Sequence, residues 1–144
     1  MELRSYHSKK HRFCLYTLQN PPDIVALQKV NTPDPGLRNY VSFSQDPQSG
    51  TAVMVKKHLL AQTHNLPPDV AIVVVEIIPR RSSQPSIYIL DLYIPPSAFL
   101  KEIDTLLHEA RKISKQVPLL LMGDFNAPYH GWGYTQSTKK ATAL

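Results

Sequence analysis

The polar residues at the tip of one apolar segment are the first candidates for chemistry. The run LLLM, which begins at Leu119, ends in Gly123 and Asp124, and Asn126 follows closely. Residues two apart in an extended chain face the same way, so Asp124 and Asn126 are expected to share one side, with Phe125 turned into the core. Gly123 permits a tight turn or the close approach of a ligand. A carboxylate and a carboxamide at such a tip suit a site for a polar ligand.

Tyr93 ends a second apolar segment and adds a phenol to this set. Sheets present their functional groups where the strands end. An aspartate that orients or deprotonates water, beside an asparagine and a tyrosine that donate to phosphate oxygens, is a phosphate-handling set. The alternative is structural: Asn126 follows the strand in an Asx turn, and Tyr93 is a core or rim tyrosine before a Pro-Pro turn. Composition and spacing leave both interpretations open.

A layered α/β architecture is predicted to position these residues. Continuous Val, Ile and Leu runs without polar alternation are typical of strands covered on both faces. The segment from Ser97, a plausible N-cap, to Gln116 carries an apolar stripe at three- and four-residue spacing and predicts a helix. This helix gives one crossover between two strands of a mixed sheet. Strands are predicted at 24–28, 39–45, 51–55, 67–78, 85–94 and 117–122.

Length and composition indicate one soluble globular domain. The chain has 144 residues, 42% of them hydrophobic, and a mean hydropathy of −0.23. The net charge of +5 is a weak indication of a polyanionic partner. Cys14 is the single cysteine, which excludes an intrachain disulfide and a cysteine-based zinc site and favours a reducing compartment. The longest apolar run is too short to cross a bilayer, so no membrane partner is expected.

Four segments resemble one known family in the same order. GDFNAPYHGWGY resembles the GDFN motif of the endonuclease/exonuclease/phosphatase family, and more narrowly the apurinic-endonuclease-like domain of non-LTR retrotransposon reverse-transcriptase polyproteins. PDIVALQKVN, SGTAVMVKKHL and ILDLYIPPS resemble its other motifs. The resemblance covers residues 20–144 and leaves 1–19 as a divergent basic segment. It implies a layered α/β sandwich of the endonuclease/exonuclease/phosphatase type, present in incomplete form.

The resemblance also implies an activity and a role for each site residue. Domains of this kind cleave a DNA phosphodiester with Mg²⁺. The resemblance therefore implies an intracellular protein, which would be nuclear if it functions as a retroelement endonuclease. Asp124 would position the attacking water, Asn126 would hold that water and the phosphate, and Tyr93 would support the scissile phosphate. His130 and Trp132 would flank the groove. His130 is not expected to be the base, because the family's histidine lies in a later motif.

Three departures from the family pattern predict an impaired site. Lys29 stands where the family has a metal-binding glutamate. An ammonium repels a cation by about 4 kcal/mol per unit charge at about 4 Å in a dielectric of about 20, and a divalent ion by about twice that. The Asn and Gly of the family's opening strand have no counterpart in residues 1–20, and its final Asp-His pair would lie beyond Leu144. We therefore expect little or no activity, and marginal stability or association through uncovered sheet edges.

Other functions stay open at this stage. Asp91 shares a strand face with Tyr93 at a position where the family commonly has an amide, and Glu76 interrupts a valine run. Both are expected to be solvated or hydrogen-bonded structural acids rather than substitute catalytic groups. The chain could instead be a non-catalytic nucleic-acid-binding remnant, or another phosphodiesterase or phosphatase of the same superfamily. The Trp-Gly pair after GDFN favours the retroelement branch.

Overall fold

Two β-sheets and a crossover helix form the part of the chain that the computed structural model describes. The described residues are 13–16, 19, 21–30, 32, 35–44, 50–65, 72–94, 100–115, 117–128 and 130–137. The predicted N-cap Ser97 and most of the divergent N-terminal segment lie outside them. The elements are β1 (Ile24–Gln28), β2 (Tyr40–Phe43), β3 (Thr51–Lys56), β4 (Leu60–His64), β5 (Ile72–Ile78), β6 (Ile87–Tyr93), α1 (Leu100–Ser114), β7 (Leu119–Asp124) and a 3-10 helix at His130–Trp132.

The two sheets differ in the direction of their strands. The first sheet has the order β1-β3-β2, and both of its strand pairs are antiparallel. The second has the order β4-β5-β6-β7, with antiparallel pairs except for β6 and β7, which are parallel. Two parallel neighbours need a crossover, and α1 supplies it. The predicted α/β sandwich with one crossover unit and a mixed sheet is confirmed.

The valine run of β5 is apolar throughout because both of its faces are covered. Val73 and Val75 belong to a cluster between the two sheets, with Val53 and Val55 of β3. Alternate residues of β5 belong instead to a cluster with Leu90 and the helix. The second cluster comprises Ile72, Val74, Tyr88, Leu90, Leu92, Ile94 and Ala110, with Leu106, Leu107 and Ile113 packed against it. The second sheet is thus the central layer between the first sheet and α1.

Strand β4 is an element that the apolar pattern does not predict. Its sequence, LAQTH, is largely polar, and Leu60 is 60% exposed. It pairs with β5 along its length and forms one edge of the second sheet. Its backbone hydrogen bonds to β5, rather than an apolar face, therefore define it as a strand. Among the described residues, no helix is both long enough and apolar enough to cross a membrane.

Candidate functional site

Three strand ends meet at one edge of the sandwich and bring the predicted site residues together. Tyr93 and Asp124 end the parallel neighbours β6 and β7 and are direct register partners. By strand alternation both face the first sheet, because Ile89 and Met122 on the same strand faces belong to the cluster between the sheets. β1 packs across β6 and β7 from that side. We call Lys29, Tyr93, Asp124 and Asn126 the strand-tip site.

An ion pair lies at the centre of the strand-tip site. Lys29 Nζ is 3.0 Å from Asp124 Oδ2, and it lies 5.4 Å from the centroid of the Tyr93 ring. The two charged side chains are 25% and 30% exposed, so solvent reaches both of them. Lys29 therefore places its charge directly on the carboxylate of the GDFN motif.

The backbone of Lys29 adopts a conformation that side-chain-bearing residues rarely take. Its φ is 58°, in the left-handed region. That region costs an L-residue about 1–2 kcal/mol. The next amide, Val30 N–H, donates to Gly50 O at 2.7 Å, and a Cβ added to Gly50 would lie 3.3 Å from Lys29 Cα. The close contact with Gly50, which precedes β3, thus holds Lys29 in this conformation at the end of β1.

Asn126 ties the end of β7 to the end of β6. Its backbone N–H donates to Asp124 Oδ1 at 3.1 Å, the bond of an Asx turn, and its Nδ2 donates to Ile94 O at 2.8 Å. The φ of Asn126 is 44°. The extended geometry predicted for this stretch ends at Asp124, the last residue of β7, because Asn126 adopts a left-handed conformation. Phe125 does pack against the core cluster under α1, as predicted.

Gly123 is required by the neighbouring strand. Its φ is 146°, and a Cβ at this position would lie 2.0 Å from Leu92 O of β6. The sequence predicted a tight turn or the close approach of a ligand. The structure shows a third reason, the close approach of the β6 backbone. A glycine before the aspartate therefore allows Tyr93 and Asp124 to become direct neighbours.

A buried acid lies behind the strand-tip site, joined to the other sheet. Asp91 is fully buried, and its Oδ1 accepts a hydrogen bond from Gln28 Nε2 at 2.6 Å. Its Oδ2 has no hydrogen-bond partner among the described residues. Burial raises the pKa of Asp91 to about 7, although the hydrogen bond from Gln28 acts in the opposite direction. Asp91 is thus a hydrogen-bonded internal acid, and its partner Gln28 is one of the polar residues that the sequence places at the end of a strand.

Glu76 lies away from the strand-tip site. It pairs in register with Tyr88, at the opposite end of β6 from Tyr93. Its Oε2 lies 2.8 Å from both Gln62 Nε2 and His64 Nε2 of β4. Side-chain hydrogen bonds, first from Ser86 and then from Gln62, lower the pKa of Glu76 to about 2. Glu76 is therefore a hydrogen-bonded structural acid, as expected, and joins the edge strand β4 to the sheet.

The two residues predicted to flank the groove belong to the 3-10 helix after β7. His130 is exposed, and its backbone N–H donates to Ser137 Oγ at 2.9 Å. Within the described residues, His130 makes no hydrogen bond or ion pair with Asp124. The side chain of Trp132 lies outside the described part of the chain. Their predicted place beside a groove stays a prediction.

Comparisons with known proteins identify the family. The model of the Endonuclease/Exonuclease/phosphatase family matches residues 3–142. The chain belongs to this family. The resemblance drawn from the GDFN motif and the three other segments is confirmed at this level. No curated protein matches the chain.

Two solved structures share the fold of this chain. The endonuclease domain of TRAS1, a telomere-specific non-LTR retrotransposon, superposes with a TM-score of 0.80 at 18% identity. The match covers 100% of the present chain and 65% of the TRAS1 chain. A functionally unknown conserved protein from Enterococcus faecalis V583 has a TM-score of 0.62 at 14% identity, over 93% of this chain and 62% of the other. The chain thus spans about two thirds of these structures' length.

The strand-tip site does not fit the divalent cation that the family implies. Mg²⁺ prefers near-octahedral oxygen ligands at about 2.0–2.1 Å. Asp124 Oδ2 is paired with the Lys29 ammonium, and Asp124 Oδ1 accepts from the Asn126 backbone. Asp91 is buried, and its raised pKa favours the neutral acid. No group of three or more His, Cys, Asp or Glu residues in the described part of the chain could hold a metal ion.

Proposed function

We propose that the chain is a retroelement-type endonuclease domain that contacts DNA at the strand-tip site and has little or no Mg²⁺-dependent cleavage activity. One observation carries the proposal: Lys29 Nζ lies 3.0 Å from Asp124 Oδ2. The membership of the family supports a phosphodiester substrate. The TRAS1 endonuclease domain, which has the same fold, supports DNA as that substrate. A DNA substrate would in turn place the protein in the nucleus.

The hydrogen bonds of the strand-tip site support low activity. To take a proton from water, Asp124 needs a carboxylate oxygen that points at that water. In this chain one oxygen is paired with Lys29 and the other accepts from Asn126. The Asn126 amide in turn donates to Ile94 O. Activating a water would require breaking the ion pair first, and the loss of one member of a catalytic unit commonly costs several orders of magnitude in rate.

Nicking of supercoiled plasmid DNA with Mg²⁺ tests this proposal. The wild-type chain, Asp124→Ala and Lys29→Glu are purified in parallel, and their folding is compared by circular dichroism. We expect the wild type to nick no faster than Asp124→Ala. Mg²⁺-dependent nicking by the wild type that disappears in Asp124→Ala would contradict the proposal. Nicking by Lys29→Glu alone would support it and would identify Lys29 as the cause of the low activity.

A further inference from the structure

Lys29 combines a strained backbone with a charge placed at the strand-tip site. Its φ of 58° is in the left-handed region, while its ammonium lies on Asp124 and 5.4 Å from the Tyr93 ring centroid. Backbone strain in a residue other than glycine often marks a functional position. We infer that the Lys29 ammonium replaces a divalent cation in this chain and binds a DNA phosphate oxygen directly, without metal. This inference rests on the proposed function for the identity of the ligand.

Solvent reaches the ion pair between Lys29 and Asp124, because the two side chains are 25% and 30% exposed. Ion pairs at such positions contribute little to stability. The Lys29 ammonium can therefore add a phosphate oxygen to its contacts at little cost to the fold.

Electrostatics at the strand-tip site favours an anion only when Lys29 is present. The Asp124 carboxylate alone would repel a phosphate group. The ammonium at 3.0 Å cancels that charge, and a quarter of the lysine side chain stays accessible to a ligand. The net charge of +5 then attracts a polyanion at longer range. An ammonium is a compact point charge with several rotatable donors, which suits a single phosphate oxygen.

A divalent cation bound at Asp124 and the Lys29 ammonium would repel each other. A divalent ion on Asp124 would lie a few ångströms from Lys29 Nζ. The two positive charges would repel each other at that distance, although solvent weakens the repulsion. Asp124 can therefore pair with only one of the two cations at a time, and in this chain that cation is the Lys29 ammonium. Binding of DNA at the strand-tip site should then be insensitive to chelators.

The test measures binding of a fluorescein-labelled DNA duplex by anisotropy over a series of KCl concentrations. Each series is run in EDTA and, at matched ionic strength, in Mg²⁺. We expect the wild type to bind in EDTA at least as tightly as in Mg²⁺. Lys29→Gln should weaken binding and reduce the slope of log K against log [salt] by about 0.9, the value of one phosphate contact. Lys57→Gln, an exposed lysine on the turn after β3, is the matched control and should keep the slope closer to the wild type.

A second measurement tests whether Lys29 stands in the cation's place. Thermal unfolding is followed with and without Mn²⁺ in the absence of DNA. We expect no shift for the wild type and an upward shift for Lys29→Glu, which disappears in the double variant with Asp124→Asn. Binding of DNA that needs Mg²⁺, or a Lys29→Gln slope equal to that of the wild type, would overturn the inference. Failure of the proposed function is a separate result, because it would be seen as Mg²⁺-dependent nicking by the wild type.

Discussion

Two acidic residues of the second sheet have pKa values shifted in opposite directions by their surroundings. Asp91 lies buried between the sheets with one hydrogen bond, and burial raises its pKa to about 7. Glu76 lies nearer the surface among several donors, and their hydrogen bonds lower its pKa to about 2. The first acid is destabilising when it is charged, whereas the second is stabilising when it is charged. Their pH effects on stability therefore fall in different ranges.

Asp91→Asn is expected to stabilise the fold at alkaline pH. The pKa of Asp91 rises from 3.8 to about 7 on folding, so between these values the folded state binds more protons than the unfolded state. Stability from this group is present at low pH and falls as pH rises towards 7, by at most about 1.4 kcal/mol per pH unit. The amide can accept the same hydrogen bond from Gln28. Thermal unfolding should show a gain in Tm at about pH 8 and little change at about pH 4; equal gains at both would contradict this assignment.

Glu76→Gln is expected to lower stability at neutral pH by about 1 kcal/mol, because the hydrogen bonds to a charged acceptor become weaker. The folded pKa lies below 4.5, so the stabilisation is present above that value and is lost as pH falls towards 2. Urea unfolding at about pH 7 and about pH 3 measures both effects. Glu109→Gln is the matched control: Glu109 pairs with Lys112 on the exposed side of α1 and should change stability little. Equal losses in the two variants would count against a special role for Glu76.

At the scale of elements, the parallel pair β6 and β7 determines the geometry of the strand-tip site. The two strands are in register from Tyr88 with Leu119 to Tyr93 with Asp124. Beyond the paired ends, Ile94 N–H donates to Asp124 O at 2.9 Å, and Asn126 Nδ2 donates to Ile94 O. These bonds continue the connection past the strands themselves. A change that separates the two backbones would therefore displace Tyr93 from Asp124.

Gly123→Ala is expected to destabilise the fold by more than about 2 kcal/mol. The added methyl group would lie 2.0 Å from Leu92 O. Its nearest neighbours are all backbone atoms of Leu92, so there is no flexible side chain that could move away. Gly133→Ala is the control, because its φ is 85° but nothing lies within 4 Å of the added carbon. It should cost only the strain of its φ, about 1 kcal/mol. Chemical denaturation of the two variants gives the comparison, and similar losses would show that the contact with β6 is unimportant.

At the scale of the whole molecule, the second sheet exposes apolar residues on both of its outer strands. β4 and β7 end the strand order, and Leu60 and Leu120 on them are 60% and 50% exposed. Within the described residues, β7 pairs only with β6, so its outer backbone groups face away from the sheet. Edge strands with exposed leucines favour pairing with another chain.

We predict that the chain associates as its concentration rises and that Leu120→Lys reduces this association. A charge at Leu120, whose side chain is 50% exposed, opposes edge-to-edge pairing of β7 with another chain. Sedimentation velocity over a concentration series measures the effect, with Leu15→Lys as a control for the loss of one exposed leucine elsewhere. A wild type that stays monomeric throughout, with a sharp and reversible thermal transition, would contradict both this prediction and the expected marginal stability.

Local patterns in the sequence determined most of the elements and the place of the site. Apolar runs predicted β1, β3, β5 and β6 because strands covered on both faces need no polar alternation, and the helical stripe predicted α1. The helix between two such strands implied a parallel pair, and polar residues at the ends of that pair had to meet at one edge. Tyr93 and Asp124 could therefore be predicted as neighbours from the sequence.

Only the tertiary structure decided what those residues contact. The ion pair of Lys29 with Asp124, the bond of Gln28 to Asp91 and the fit of Gly123 against Leu92 each join strands that are distant in the sequence. Their distances depend on how the two sheets pack and on the register of β6 with β7. Periodicity reports which face of a strand is buried, but it carries no information on the partner across that face. The family resemblance predicts that Lys29 stands in place of a glutamate; the packing places that lysine on the carboxylate of Asp124.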